Sequence, residues 1–226
     1  MNQEIIQPAS DRAALVTRGR RLEYLTIGWN SLEGIIAIVA GLLAGSIALV
    51  GFGLDSLIEL LSGGALLWRL HLDAPEIRER AEAIALKIVG VSFLALAAYV
   101  FFDALKALIR REIPEASYIG IGIAALSLIV MPLLARAKRH IAAKIHSRAM
   151  RADAKQTDIC AYLSAILLGG LVLNAVFGWW WSDPLAALVM TPIIAREGIE
   201  ALRGEACCDD DVIVPLAKGR SKTSTQ

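Results

Sequence analysis

The stretch Gly51-Phe52-Gly53-Leu54-Asp55-Ser56-Leu57-Ile58-Glu59 sets two carboxylates, four residues apart, inside a mostly apolar run from Ile47 to Leu70. About 20 such residues suffice for a helix to cross about 30 Å of hydrocarbon. Working outward, five more runs of this kind occur: Leu22–Leu43, Ile84–Leu108, Ile119–Ala135, Ala154–Phe177 and Trp180–Ile199. The last is the weakest, with Asp183 and Pro184 near its start and Pro192 inside it. The runs are too long for barrel strands and lack a period of two, so helices are the one spanning form that satisfies their backbone polar groups. The expected fold is all-α: a polytopic membrane protein with a six-helix bundle. The expected organisation is an N-terminal cytosolic segment over residues 1–21, a transmembrane domain over 22–202 and a short cytosolic tail over 203–226.

Composition agrees. Of 226 residues, 56% are hydrophobic, and the formal net charge is only +1. With glycine counted and tyrosine removed, roughly 62% are apolar, against about 45–50% in soluble domains. Such a chain is neither disordered nor a soluble enzyme. Nor is it a nucleic-acid binder, since no excess of positive charge is available to neutralise phosphates. Three cysteines cannot staple a fold of this size. Residues 1–21 carry Glu4, Asp11 and four arginines without an apolar core, unlike a signal peptide.

Orientation follows from lysine and arginine. Twenty of them lie in the N-terminal segment, the connections after helices 2 and 4, and the C-terminal end. Three, Lys106, Arg110 and Arg111, lie between helices 3 and 4. Both termini are therefore expected in the cytosol, in a bacterial-type inner membrane. Trp179, Trp180 and Trp181 then form an aromatic belt at the outer face. The tract from Arg136 to Lys155, with His140 and His146, is expected to be a basic, solvated connection.

Asp55 and Glu59 are spaced to share one helix face. At about 1.5 Å per residue, Asp55 lies roughly 12 Å below the outer end of its helix, near mid-depth. A bilayer-embedded Asp costs about 2.5–3.5 kcal/mol even on an insertion scale, which makes it a functional-site hypothesis. No lysine or arginine is expected at mid-depth, because Lys87, Lys106, Lys155 and Arg196 all sit near helix ends. The compensation is then protons, with hydrogen bonds from neighbouring Ser or Asn, or an imported cation.

On helix 5, at about 100° per residue, Asp153, Gln156, Thr157, Cys160 and Ser164 share a polar face, and Asp158 points away. Cys160 reads as a small core residue by itself and as a soft ligand if it faces Asp55 and Glu59. Gln156 is a weaker donor, since amide oxygens suit hard cations. Asn30 and Glu33 of helix 1 either line the same cavity or make interhelical hydrogen bonds. Asp103 is expected to be solvated or paired with Lys106. Gly41 and Gly45 form a small-xxx-small pair, and Gly63-Gly64 and Gly169-Gly170 read as packing or hinge positions. Cys207-Cys208-Asp209-Asp210-Asp211 reads either as a metal hand-off or as a solvated tail.

Six helices, Asn30, Gly45-Ser46-Ile47-Ala48, Asp55-x-x-x-Glu59, Arg151-Ala152-Asp153 and Trp181-Ser182-Asp183-Pro184 together resemble the membrane domain of cation diffusion facilitator transporters. The resemblance covers roughly Leu22 to Leu202. It implies a transporter, not an enzyme, that moves divalent metals such as zinc out of the cytosol against protons, as a homodimer. It places Asp55 and Glu59 in the two metal-ligand positions of helix 2. Helix 5 of the family usually carries His or Asp and then Asp four residues later; those positions fall on Gln156 and Cys160. Members often have a cytosolic domain after helix 6, and this sequence leaves no room for one. The implied metal set is Asp55, Glu59 and Cys160, completed by Gln156 or Asp153, with no cofactor. Two carboxylates and one thiolate favour zinc, cadmium or cobalt over magnesium or calcium. The altered helix 5 pair leaves a second reading, a non-transporting metal-binding protein that modulates a partner. An intramembrane hydrolase is disfavoured, because His71, His140 and His146 all fall outside the spans.

Overall fold

The computed structural model describes residues 9–70, 75–145 and 148–203. Within them lie six helices and no strand: α1 (Ala9–Ala44), α2 (Ile47–Leu70), α3 (Pro75–Arg110), α4 (Tyr118–Ile145), α5 (Arg148–Phe177) and α6 (Ser182–Arg203). Five are long and apolar enough to cross a membrane; α6 is the exception, with Arg196, Glu197, Glu200 and Arg203 in its last turns. The protein is an all-α polytopic membrane protein. The tail with Cys207 and Cys208, and also His71 and His146, lie outside the described residues.

Several helices run past their apolar segments. α1 starts at Ala9, not Leu22; α3 starts at Pro75, not Ile84; α4 ends at Ile145, not Ala135. The added turns are rich in Ala, Arg, Lys and Glu, which are strong helix formers. Hydropathy marks where a helix meets lipid, whereas propensity and packing decide where it stops. The tract from Arg136 to Ile145 is therefore helix, not connection.

α1 packs on α2 and α4, α4 on α5, and α3 on α6, while α2 touches α1, α3, α5 and α6. The α1–α2 contact is close because both backbones are bare there. A Cβ on Gly53 would lie 2.9 Å from Ile38 N and 3.0 Å from Gly34 O, and one on Gly34 would lie 3.1 Å from Gly53 O. Small residues at such crossings let backbones approach, the main route to helix packing where lipid is as apolar as the side chains.

The bundle is apolar outside and partly polar inside. On α1, Leu25, Leu32, Ile35, Val39 and Leu42 are exposed, whereas Glu23, Thr26, Asn30, Glu33, Ala37 and Ala40 are buried at spacings of three and four. That is one inward helical stripe, with polar groups in its first half.

The end that holds the α1–α2, α3–α4 and α5–α6 links is called distal here. Its links are tied together. Glu115 N donates to Ala44 O (2.8 Å), and Asn174 Nδ2 donates to Pro114 O (3.0 Å). Gly45 turns the α1–α2 link with φ 66°. Asp183, almost wholly buried at the start of α6, accepts from Ser46 Oγ (2.5 Å), Ile47 N (3.0 Å) and Ala48 N (3.5 Å). Its carboxylate therefore caps α2, whose first N–H groups have no partners within the helix. Lys106 and Asp103 pair at 3.4 Å, as expected. Below these links a layer of Leu49, Phe52, Leu163, Leu167 and Leu171 is closed to solvent. The opposite end, where α1 begins and α6 ends, is proximal.

Candidate metal centre

The three central helices carry their polar groups at matching heights. α2 presents Asp55, 5% exposed, and Glu59, 3% exposed. α5 presents Cys160, 1% exposed, with its thiol facing Glu59. α1 presents Glu33, fully buried, whose Oε2 accepts from Ser56 Oγ at 3.3 Å. Ser127 of α4 and Trp29 of α1 face Glu33 but fall short of hydrogen-bond geometry. Asp55, Glu59 and Glu33 are close enough to repel one another if ionised together.

The cluster is under-satisfied. Both polar atoms of the Asn30 amide, Glu33 Oε1, Glu59 Oε2, Ser127 Oγ and Trp29 Nε1 are buried without a hydrogen-bond partner. Unmatched buried polar atoms are uncommon in folded proteins and cost more in a low-dielectric interior. These surround one set of carboxylates; elsewhere, both Glu23 oxygens and Gln156 Nε2 are also buried without a hydrogen bond. Among the described residues, no three His, Cys, Asp or Glu side chains converge closely enough in this conformation to hold a metal.

The two other helix 5 candidates face different partners. Gln156 Oε1 accepts from Ser62 Oγ at 3.0 Å, about one turn from Glu59 toward the proximal end, and its Nε2 is unpaired. Asp153 is drawn to a cation: Lys138 Nζ lies 2.5 Å from Asp153 Oδ2 and 3.3 Å from Glu23 Oε2. Thr157 Oγ1, 3.4 Å from Lys138 Nζ, lies 2.9 Å from Glu59 Oε1 and 3.1 Å from the Asp153 carbonyl. Asp158 points away, as expected, and pairs with Arg139 on the exposed side.

Lys138 corrects one expectation. The acid pair was expected to lie beyond the reach of any protein cation, with Lys138 in a solvated connection. Instead, Lys138 is the one buried lysine or arginine among the described residues, and Thr157 alone separates its ammonium from Glu59. The extension of α4 is the cause. Ser127, Met131, Ala135, Lys138 and Ala142 form one buried stripe on that helix. Continuing the helical period past Ala135 would have placed the lysine inward. The same test on helix 1 finds Glu23, one stripe with Thr26, Asn30 and Glu33.

Comparison with known proteins gives this geometry a context. A family model described as the cation efflux transmembrane domain matches residues 25–205. An uncharacterised transporter of Methanocaldococcus jannaschii is 27% identical over 179 residues, covering 76% of this chain and 63% of its own length. Transmembrane protein 163 of Xenopus laevis is 27% identical over 182 residues, 80% of this chain and 65% of its own. The cation-efflux pump FieF of Salmonella paratyphi A is 26% identical over 186 residues, 76% of this chain and 60% of its own. The chain thus spans about three-fifths of the length of these relatives. With the family match running from α1 to the end of α6, this protein belongs to the cation efflux family.

Proposed function

We propose that the chain is a divalent metal transporter that carries zinc-like ions out of the cytosol in exchange for protons, around a site formed by Asp55, Glu59 and Cys160. The carrying observation is the buried, under-satisfied acid cluster of α2, α1 and α5, whose nearest cation, Lys138, is already shared by two other carboxylates. Membership of the cation efflux family supports the same reading.

The chemistry follows from charge. Two carboxylates and a thiolate carry −3 against +2 for the metal, so one ligand keeps or regains a proton as the metal leaves. A neighbouring metal ion favours the thiolate. One sulfur with oxygen donors selects zinc, cadmium or cobalt over hard magnesium or calcium. Binding requires the donors to draw together, since no three converge among the described residues. Gln156 and Asp153, held by Ser62 and Lys138, complete the shell only after leaving those partners; Glu33, beside Ser56, needs no such exchange. The lysine and arginine bias sets both termini in the cytosol of an inner-type membrane. Trp179 and Trp181, stacked at 5.0 Å on the distal end, sit where an interfacial anchor belongs. A homodimer is the proposed working assembly.

The test is flux. Proteoliposomes containing a metal-sensitive dye should take up zinc, cadmium and cobalt with wild-type protein, faster with an opposing proton gradient, and fall to the protein-free level with Asp55→Ala. Equal uptake by both proteins would overturn the site. Metal binding without flux in the wild type would favour the modulator reading.

A further inference from the structure

Between the acid cluster and the proximal end lies an ionic layer, of which the metal site draws on Asp153 alone, and only once Asp153 leaves Lys138. Glu23 of α1, Lys138 of α4 and Asp153 of α5 meet on one ammonium, with exposures of 0%, 0% and 6%. Three helices are thus cross-linked at a single height. One turn further toward the proximal end, the same helices contribute an apolar layer: Leu22 of α1, Ile141 and Ala142 of α4, and Met150 of α5. Gly19 belongs to this layer; a Cβ there would lie 2.6 Å from Met150 Cε. The order from the middle outward is acid cluster, ionic triad, apolar plug.

We propose that Lys138, clamped by Glu23 and Asp153, is an ionic lock that closes the acid cluster against the proximal face. This rests on the reading of that cluster as a transport site. A buried charge stays in a membrane interior only while it is paired, so α1, α4 and α5 cannot separate at this height unless the triad is dissolved as a unit. Thr157 ties the lock to its cargo. Its hydroxyl faces Lys138 on one side and Glu59 on the other, so it registers whether Glu59 is free or bears a cation. A divalent ion at Glu59 repels the nearby ammonium and weakens the lock from within.

The lock is read by access to Cys160, with no reliance on metal movement. Replacing Cys207 and Cys208 by Ser leaves Cys160 as the single thiol. In proteoliposomes, a charged, membrane-impermeant thiol reagent is applied to each face separately. Two variants are compared with this parent: Lys138→Gln, and the isosteric triple Glu23→Gln, Lys138→Met, Asp153→Asn. The triple leaves no buried charge unpaired and so keeps the fold if Lys138→Gln does not. The expected result is labelling of Cys160 at least about tenfold faster from the proximal face, with the distal rate unchanged, as for a lost bias toward the closed state. A folded triple variant that labels as slowly as the parent would overturn the lock. Zinc flux in parallel vesicles separates the two readings. Faster labelling of the variants with no wild-type flux keeps the lock and removes the transporter, whereas wild-type flux with unchanged labelling does the reverse.

Discussion

Two buried carboxylate settings stand about half a bundle apart and differ in one respect. At the distal end, Asp183 takes three donors, from Ser46 and two backbone N–H groups at the start of α2. In the middle, Glu33 and Glu59 each keep an oxygen with no donor, and the Asn30 amide beside them has none. Both settings are closed to solvent, so burial does not distinguish them. Satisfaction does. A carboxylate whose lone pairs are filled by the fold is part of the scaffold, whereas one left short keeps acceptor capacity open to a proton or a cation.

The comparison breaks most sharply on function. Asp55→Ala is expected to reduce metal flux to the protein-free level while thermal unfolding in detergent changes little, because it removes repulsion from a crowded acid cluster. Asp183→Ala is expected to do the opposite: lower stability by about 2 kcal/mol, through a lost cap and lost hydrogen bonds to a charge, with flux per folded molecule retained. If Asp183→Ala abolishes flux at unchanged stability, the distinction between the two settings fails. Gly53→Ala tests the contact that places Asp55. Its Cβ would press on backbone atoms of Ile38 and Gly34, and a cost of about 1–3 kcal/mol is expected from overpacking, read as a lower melting temperature with weaker metal affinity. Smallest of all, Asp158→Asn removes an exposed ion pair with Arg139 and should change stability by less than about 1 kcal/mol, with flux unaffected. A large loss of flux would mean that the outward side of α5 takes part in transport.

Much of the site was legible before any coordinates. Asp55 and Glu59 are the only two carboxylates one turn apart in an apolar run, and the cost of burying them marks them without further context. Helical phase put Cys160 on the polar face of helix 5 and turned Asp158 away from it; the pairing of Asp158 with Arg139 was not foreseen. Asp153 shows the limit of phase: it lies on the predicted face, yet one turn too far along, where Lys138 holds it. Lys138 and Glu23 were missed because hydropathy ended helix 4 at Ala135 and placed Glu23 beside a helix end. Charged residues near a span terminus read as solvated whenever the helix is taken to stop there.

Local hydrophobicity and a period of 3.6 were enough to read six helices, a membrane-embedded bundle and an acid pair on one face of helix 2, but not that α6 falls short of the length and apolarity of the other five. Which buried charges are answered, and by what, depends on how the helices are arranged in space. Asp183 finds the start of α2 more than a hundred residues earlier in the chain, and Lys138 joins α4 to α1 and α5. Those pairings depend on how helices rotate and cross, which is fixed by small-residue contacts such as Gly34 against Gly53 and not by the period of any one segment.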